Sequence, residues 1–211
     1  MFRRYTALFS LVALFFLQLL APQAVDASSY GRVQIDNSGR QTFAAASSYT
    51  APAASTTDFW TIYGSSTKTI KVLRVEVAYT TSYTPAADKY FLIRRSTANS
   101  GGTSTLLTNV PLDSTNASGT AAVRIYTDNP SSLGTSVGNI ATGRIISCSD
   151  AIGSWALIAA SSGAIVVFDS KIAGQPIVLR GTEQGLCLNF NGVAPASTPS
   201  SIAVTVYWTE E

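Results

Sequence analysis

Residues 202–209 read IAVTVYWT and decide the fold class, because large apolar residues alternate strictly with small or polar ones. Successive side chains of a β-strand point to opposite faces of its sheet. The four large residues of one parity therefore share a buried face: Ile202, Val204, Val206 and Trp208. Tyr207 points to the opposite side. The pattern predicts a strand whose sheet has one face turned toward a core.

Ten further segments have the same texture, being short runs of β-branched and aromatic residues bounded by Gly, Pro, Asn or Asp. They span residues 58–63, 68–79, 89–95, 104–112, 121–126, 137–147, 154–159, 164–168, 176–180 and 185–191. Near Leu73 and Arg74 the apolar alternation changes phase, which predicts a β-bulge. No segment has the period of a long amphipathic helix. These patterns predict an all-β protein, an antiparallel two-sheet sandwich of jelly-roll type with an extended N-terminal arm.

The first 27 residues have the features of a leader. Arg3 and Arg4 precede an apolar run over residues 7–20, and small residues at Val25 and Ala27 form a plausible cleavage site. This order predicts a signal peptide over residues 1–27 and a secreted or periplasmic protein. No later apolar run is long enough to cross a bilayer, so we expect no membrane span in the mature chain.

The body divides by composition. Residues 28–56 are rich in Ala, Ser, Thr, Gly and Pro, which predicts an extended and partly ordered arm. Strand-like texture begins at Thr57. The predicted β-sandwich domain therefore covers residues 57–211, and one domain is the default for this length.

The charge of the chain excludes several classes of function. Lys and Arg number 14 and Asp and Glu 12, which gives a net charge of +2 without any basic stripe, so we expect no nucleic-acid partner. Arg94 and Arg95 are interpreted as solvated charge at a strand end. The chain has no histidine, which excludes Ser-His-Asp and Cys-His catalysis and removes the commonest zinc ligand.

The remaining motifs do not indicate an enzyme. Ser65 and Lys68 match the S-x-x-K pattern of serine acyl-transfer enzymes, but partner motifs are missing and a polar turn between strands explains them better. Most acidic residues adjoin Gly, Pro, Ser or Asn, which indicates turns rather than a catalytic carboxylate pair. Asp113 with Asn116 lacks the ligand density of a calcium loop. We therefore predict no catalytic residue, no metal and no cofactor.

The two cysteines, Cys148 and Cys187, leave two alternatives open. A single disulfide suits an oxidising compartment. Cys187, however, lies between Leu186 and Leu188, which form the inward set of a predicted strand, so its side chain should point to the opposite face. A bridge and two free thiols are both compatible with the sequence, because it does not give the Cα separation.

Four aromatic residues form the candidate binding site. If Trp60 faces the core, strand parity turns Phe59 and Tyr63 the other way. The same argument turns Tyr126 and Tyr207 outward. We predict that these four rings form either a subunit interface or a platform on which sugars stack, and the alternative is that the arm covers them or that they are scattered over the surface.

Several stretches resemble small, poorly characterised proteins of tailed-phage structural gene clusters. They lie at residues 67–75, 94–105, 110–116, 126–130 and 206–211, so the resemblance extends over residues 57–211. The resemblance implies a virion-associated β-sandwich and transfers no catalytic residue. The leader is a departure, because phage virion proteins normally assemble in the cytoplasm without export.

Two functions follow as expectations. The first is a non-enzymatic structural or surface-interaction protein, virion-like and self-assembling into a homo-oligomer. The second is a secreted carbohydrate-binding or adhesin-like module whose partner is a cell-surface glycan. The localisation expected from the leader is secreted or periplasmic, and the alternative is the virion.

Overall fold

The computed structural model describes residues 40–79, 86–147, 164–193 and 201–211, all of which belong to one compact unit. The predicted signal peptide over residues 1–27, the predicted strand at 154–159 and Cys148 lie outside the described residues. Within the described parts of the chain, no helix is long and apolar enough to cross a membrane.

The first sheet has six strands, and every pairing in it is antiparallel. Its strands are β1 (Thr42–Ala46), β3 (Ile70–Tyr79), β6 (Val110–Pro111), β9 (Ile165–Asp169), β10 (Ile177–Leu179) and β12 (Ile202–Glu210). Their order is β10-β3-β12-β1-β6, and β9 pairs with the other half of β3. A single helical turn, α1 (Ser170–Ala173), follows β9 and is capped by Asp169.

The second sheet also has six strands, again all antiparallel. Its strands are β2 (Thr56–Tyr63), β4 (Ala86–Arg95), β5 (Ser104–Leu106), β7 (Ala122–Tyr126), β8 (Ser136–Ser147) and β11 (Gly185–Val193). Their order is β5-β7-β2-β11-β4-β8. The predicted all-β, antiparallel two-sheet sandwich is therefore confirmed.

The core lies between the sheets and follows the alternation read from residues 202–209. Ile202, Val204, Val206 and Trp208 are buried, whereas Tyr207 is half-buried on the other side of β12. The Trp208 ring stacks on Phe43 of β1 with ring centroids 5.7 Å apart. The predicted buried face of the last strand is confirmed.

The phase change in β3 is a β-bulge, as predicted. Tyr207 lies opposite Arg74 and Trp208 opposite Val72, so Leu73 is the extra residue of β3. The extra residue shifts the alternation of side chains by one position, so apolar residues on both sides of the bulge face the core. Val72 and Val75 are both fully buried.

The predicted arm over residues 28–56 differs from the structure where the two overlap. β1 pairs with β12 along its whole length and with β6 on its other side, so residues 42–46 are an integral strand of the first sheet. Phe43 and Ala45 fill the core from this strand. The composition of this strand resembles that of a linker, because four of its five residues are small. Phe43 is the one large apolar residue in it that indicates a buried strand.

We expect Trp208→Ala to destabilise the protein by about 3–5 kcal/mol, the usual cost of truncating a large buried aromatic side chain. Tyr207→Ala on the same strand should cost less than about 1 kcal/mol, since that side chain is half-exposed. Urea denaturation of the two variants measures both values. Equal losses, or a larger loss for Tyr207→Ala, would contradict the assigned faces of β12.

Candidate functional site

The outer face of the second sheet, which points away from the core, is covered by two loops. One loop joins β4 to β5 and the other joins β7 to β8. The loops bind each other through paired backbone hydrogen bonds between Ser100 and Ser132, at 3.0 and 3.1 Å, and through Thr127 N to Thr103 O at 2.9 Å. Beneath them, outward-facing residues such as Thr61 and Cys187 have no solvent exposure.

A buried ion pair lies under these loops. Asp58 of β2 is fully buried, and both of its carboxylate oxygens bond to Arg95 of β4, at 2.6 and 2.8 Å. The same carboxylate accepts one hydrogen bond from the side-chain amide of Asn99 at 2.7 Å and one from the side-chain amide of Asn189 at 2.6 Å. The Asp58 carboxylate therefore joins β2 to β4, to β11 and to one covering loop.

The other loop attaches to the same network. Arg95 Nη1 donates to the carbonyl of Gly134 at 2.5 Å, and the Gly134 amide donates to Asn99 Oδ1 at 2.8 Å. Burial alone would lower the pKa of Arg95, but its bonds to Asp58 outweigh that effect and raise it. The guanidinium therefore remains charged.

A second β-bulge turns Asp58 toward this network. Trp60 lies opposite Leu188 and Asp58 opposite Asn189, so Phe59 is the extra residue of β2. Because of this bulge, Phe59 lies on the core side and packs edge-on against Phe190, with ring centroids 6.1 Å apart. The prediction that Phe59 faces outward is therefore wrong.

The other three predicted site residues do not form one exposed face. Tyr63 and Tyr126 do lie on the outer side of the second sheet, but the loops bury them to 6% and 5% exposure. Tyr207 belongs to the first sheet and lies on the opposite side of the sandwich. Strand parity assigned Tyr63 and Tyr126 correctly, whereas the prediction of an exposed four-ring platform is wrong.

Tyr63 and Tyr126 instead line a cleft of about 670 Å³. The Tyr63 hydroxyl accepts a hydrogen bond from the backbone N–H of Asn99 at 3.1 Å. Burial raises the pKa of Tyr63 far above its ordinary value, so its hydroxyl remains neutral. The Tyr63 ring lies over Gly185, where an added Cβ would come within 2.7 Å of it.

The walls of the cleft are polar. One wall is the turn after β2, which includes Ser65, and the other is the loop after β4, which includes Asn99 and Gly102. Gly102 has φ +75, and an added Cβ would lie 2.5 Å from the carbonyl oxygen of Asn129. Loop packing at this wall therefore requires glycine.

The S-x-x-K segment is part of the first wall and has no catalytic arrangement. Residues 66–68 form a bend between β2 and β3, and Ser65 Oγ accepts from the Thr67 amide at 3.2 Å. Acyl-transfer enzymes instead place this motif at the start of a helix. The interpretation of Ser65 and Lys68 as a polar turn is confirmed.

Among the described residues that line the cleft, Arg124 of β7 has the only charged side chain. It is half-buried, and its Nη1 donates to Ser104 Oγ at 3.2 Å. Hydroxyl groups of serine, threonine and tyrosine and the Asn99 amide make up the other side-chain polar groups. Among the described residues, no three His, Cys, Asp or Glu side chains come together as a metal site. The cleft therefore has the chemistry of a polar binding site with one positive charge.

Cys187 is a free and fully buried thiol in the structure, and Cys148 lies outside the described residues. As predicted, Cys187 points away from the core, opposite Thr61 and Ile93 on the neighbouring strands. Burial and then the negative charge of Asp58 raise the pKa of this thiol well above its ordinary value. A protonated, inaccessible thiol is a poor nucleophile.

The sequence interpretation missed the ion pair. The sequence pattern predicts solvated charge at Arg94 and Arg95, whereas in the structure Arg94 is half-buried and the side chain of Arg95 has only 4% exposure. One signal was available, namely an aspartate directly before the aromatic pair Phe59 and Trp60. A charge at that position in an apolar strand requires a partner.

Asp58→Ala should destabilise the protein by about 3–5 kcal/mol, because it leaves the buried Arg95 guanidinium without its counter-charge. Arg40→Ala provides a matched control. It removes a cation that pairs with Glu211 at the surface and should cost much less. Urea denaturation measures both variants, and equal losses would show that Asp58 is not the structural anion inferred from its bonds.

In a Cys148→Ser background, Cys187 should remain unreactive toward a water-soluble disulfide reagent at pH 8 and react fully in urea. Its raised pKa and complete burial leave almost no accessible thiolate in the native protein. Absorbance of the released thiol gives the extent of reaction. Stoichiometric reaction of the folded protein would contradict the buried position.

Comparison with known proteins found no match among protein-family models, curated proteins or solved structures. The resemblance of residues 57–211 to phage structural proteins therefore stays a prediction. The features from which a function can be inferred are the polar cleft and the exposed edges of the two sheets.

Proposed function

We propose that this protein is a non-enzymatic structural protein that assembles with further copies of itself through the two sides of its sandwich. The observation that carries the proposal is the position of its exposed apolar side chains. Nine large hydrophobic residues are exposed in the described chain, and six of them lie in or directly beside edge strands.

Each side of the sandwich combines one edge from each sheet. β8 ends the second sheet and lies near β9 of the first sheet, and these two strands form side one. β5 and β6, which end the opposite edges, are joined by residues 107–109 and form side two. A copy of the chain therefore presents two different apolar sides.

On side one, β8 presents apolar side chains at two bulges. Register shifts make Val137 and Ile140 extra residues of β8, and they are 62% and 42% exposed. Val166 of β9 adds a further exposed apolar side chain at 41%. Bulges in an edge strand discourage continuation of the hydrogen-bond ladder, so these side chains rather than the backbone are available for contact.

Side two presents Leu106, Val110 and Leu112, which are 52–59% exposed. Asp113 follows directly, and bonds from the Thr115 amide and hydroxyl lower its pKa, so it carries a negative charge. Side one carries the exposed cation Arg144 on β8. Opposite charge and matching apolar character favour contact between side one of one copy and side two of the next.

A head-to-tail contact of this kind generates a ring or a filament. This is the architecture expected of the virion-like, self-assembling protein that the resemblance implies. Export by the predicted leader would place such an assembly outside the cytoplasm, in the periplasm or beyond the cell.

A second candidate function is carbohydrate binding, and the polar cleft favours it. The predicted mode, stacking of sugars on exposed rings, has no support because Phe59, Tyr63 and Tyr126 are buried. The cleft has the size of a small-molecule site and offers hydroxyl and amide groups. It would bind a saccharide through polar contacts instead.

Assembly is tested by two variants, one on each side. Ile140→Glu on side one and Leu112→Lys on side two each place an unpaired and wrongly signed charge in the proposed contact. The wild type should be an oligomer at micromolar concentration by light scattering, and each variant alone should be a monomer. Tyr49→Lys is the control, since Tyr49 is exposed and adjoins Thr50, which bridges to Ile202 of the central strand β12.

Mixing the two variants tests whether the contact is head-to-tail. Each variant retains one intact side, so the mixture should form a one-to-one dimer and nothing larger. A monomeric wild type would contradict assembly. Two variants that remain monomeric when mixed would contradict the pairing of side one with side two.

A further inference from the structure

Arg124 is one of two half-buried or buried cations of the described chain that no carboxylate neutralises. The other, Arg94, lies outside the cleft and donates to the Val178 carbonyl and to the Gln184 side chain. Arg95 pairs with Asp58, Arg74 with Glu76, and Lys71 with Glu211. Arg124 makes only the neutral hydrogen bond to Ser104. A guanidinium has five N–H donors, so most of its donors remain available for a ligand.

The surroundings of Arg124 restrict the ligand further. Among the described residues no Asp or Glu side chain lines the cleft, and the two carboxylates next to it are already hydrogen-bonded by its wall, Glu183 by the Ala98 backbone and Glu210 by Thr120. The lining combines hydroxyl groups at Ser65, Ser104 and Thr182 with the phenol of Tyr126. Groups of this kind exchange hydrogen bonds with the hydroxyls of a sugar. The volume of about 670 Å³ lies in the range of small-molecule sites.

We propose that the cleft binds a carboxylated saccharide, a uronic-acid type of sugar, with its carboxylate on Arg124 and its hydroxyls on the surrounding polar side chains. Arginine and carboxylate form two parallel N–H to oxygen bonds, which fixes the orientation of the ligand as well as its charge. This proposal rests on the carbohydrate-binding candidate and is independent of assembly through the sandwich sides.

The ion-pair network prepares the cleft for this ligand. Asn99 lies in the cleft wall while its side chain bonds to Asp58 and Gly134, and the adjacent Ala98 amide donates to Glu183 at 3.1 Å. The wall is therefore anchored before any ligand binds. A ligand would lose little affinity to ordering of this loop.

The test is calorimetric titration of the full-length protein with methyl β-D-glucuronide and with its neutral counterpart methyl β-D-glucoside. The glucuronide should bind at least tenfold more tightly, and added salt should weaken its binding, since the ion pair is partly exposed. Sodium acetate serves as the anion without a sugar and should bind at least tenfold more weakly than the glucuronide.

Variants locate the site. Arg124→Gln should weaken glucuronide binding at least tenfold while leaving any glucoside binding unchanged, and Arg124→Lys should restore part of the loss. Lys89→Gln, which removes an exposed cation from β4 outside the cleft, is the matched control and should bind as the wild type does. Thr182→Trp fills the cleft from an exposed rim position and should abolish binding without touching Arg124.

The outcomes separate the proposals. Equal affinity for glucuronide and glucoside would overturn the acidic class but keep carbohydrate binding. Acetate that binds as tightly as the glucuronide would overturn the saccharide class. Absence of all binding, or binding that Arg124→Gln and Thr182→Trp leave unchanged, would overturn this cleft as the site.

Discussion

The carboxylate of Asp58 is fully buried and accepts four hydrogen bonds, two from Arg95 and one each from Asn99 and Asn189. A buried charge is tolerated only where its partners satisfy it completely, because desolvation otherwise costs several kcal/mol. Here the partners come from β4, from β11 and from the loop after β4. The requirement to satisfy one carboxylate therefore fixes the relative positions of three strands and a loop on the outer face of the second sheet.

The position of the cleft follows from this constraint. The loops held over Asp58 form a second layer on the sheet, and the cleft lies where that layer ends beside Tyr63 and Tyr126. The apolar core between the sheets supplies most of the buried surface, but it does not specify this layer. The ion pair links the fold to the site because Asn99 belongs to both.

Alternation of apolar residues within one strand predicted those features of the fold that depend on that strand alone. The buried face of β12 and the bulge at Leu73 follow from alternation within a single strand, and both are confirmed. The bulge at Phe59 was not predictable in this way, because Phe59 and Trp60 are both large and aromatic and either can face the core. The burial of Tyr63 depends on loops distant in sequence, which strand parity does not describe. β1 lacks a strand-like composition and is held in place by its neighbours.

Hydrogen exchange in Asp58→Asn tests most directly whether this ion pair holds the cleft wall. The substitution keeps the shape of the side chain and removes its charge. If the account is correct, the amides of Gly134, Asn99 and Ser100 lose at least tenfold more protection than the amides of β3 and β12, because the covering loops open while the core remains closed. If loop and core amides lose protection equally, or if the loops are unaffected, the ion pair does not organise the outer face.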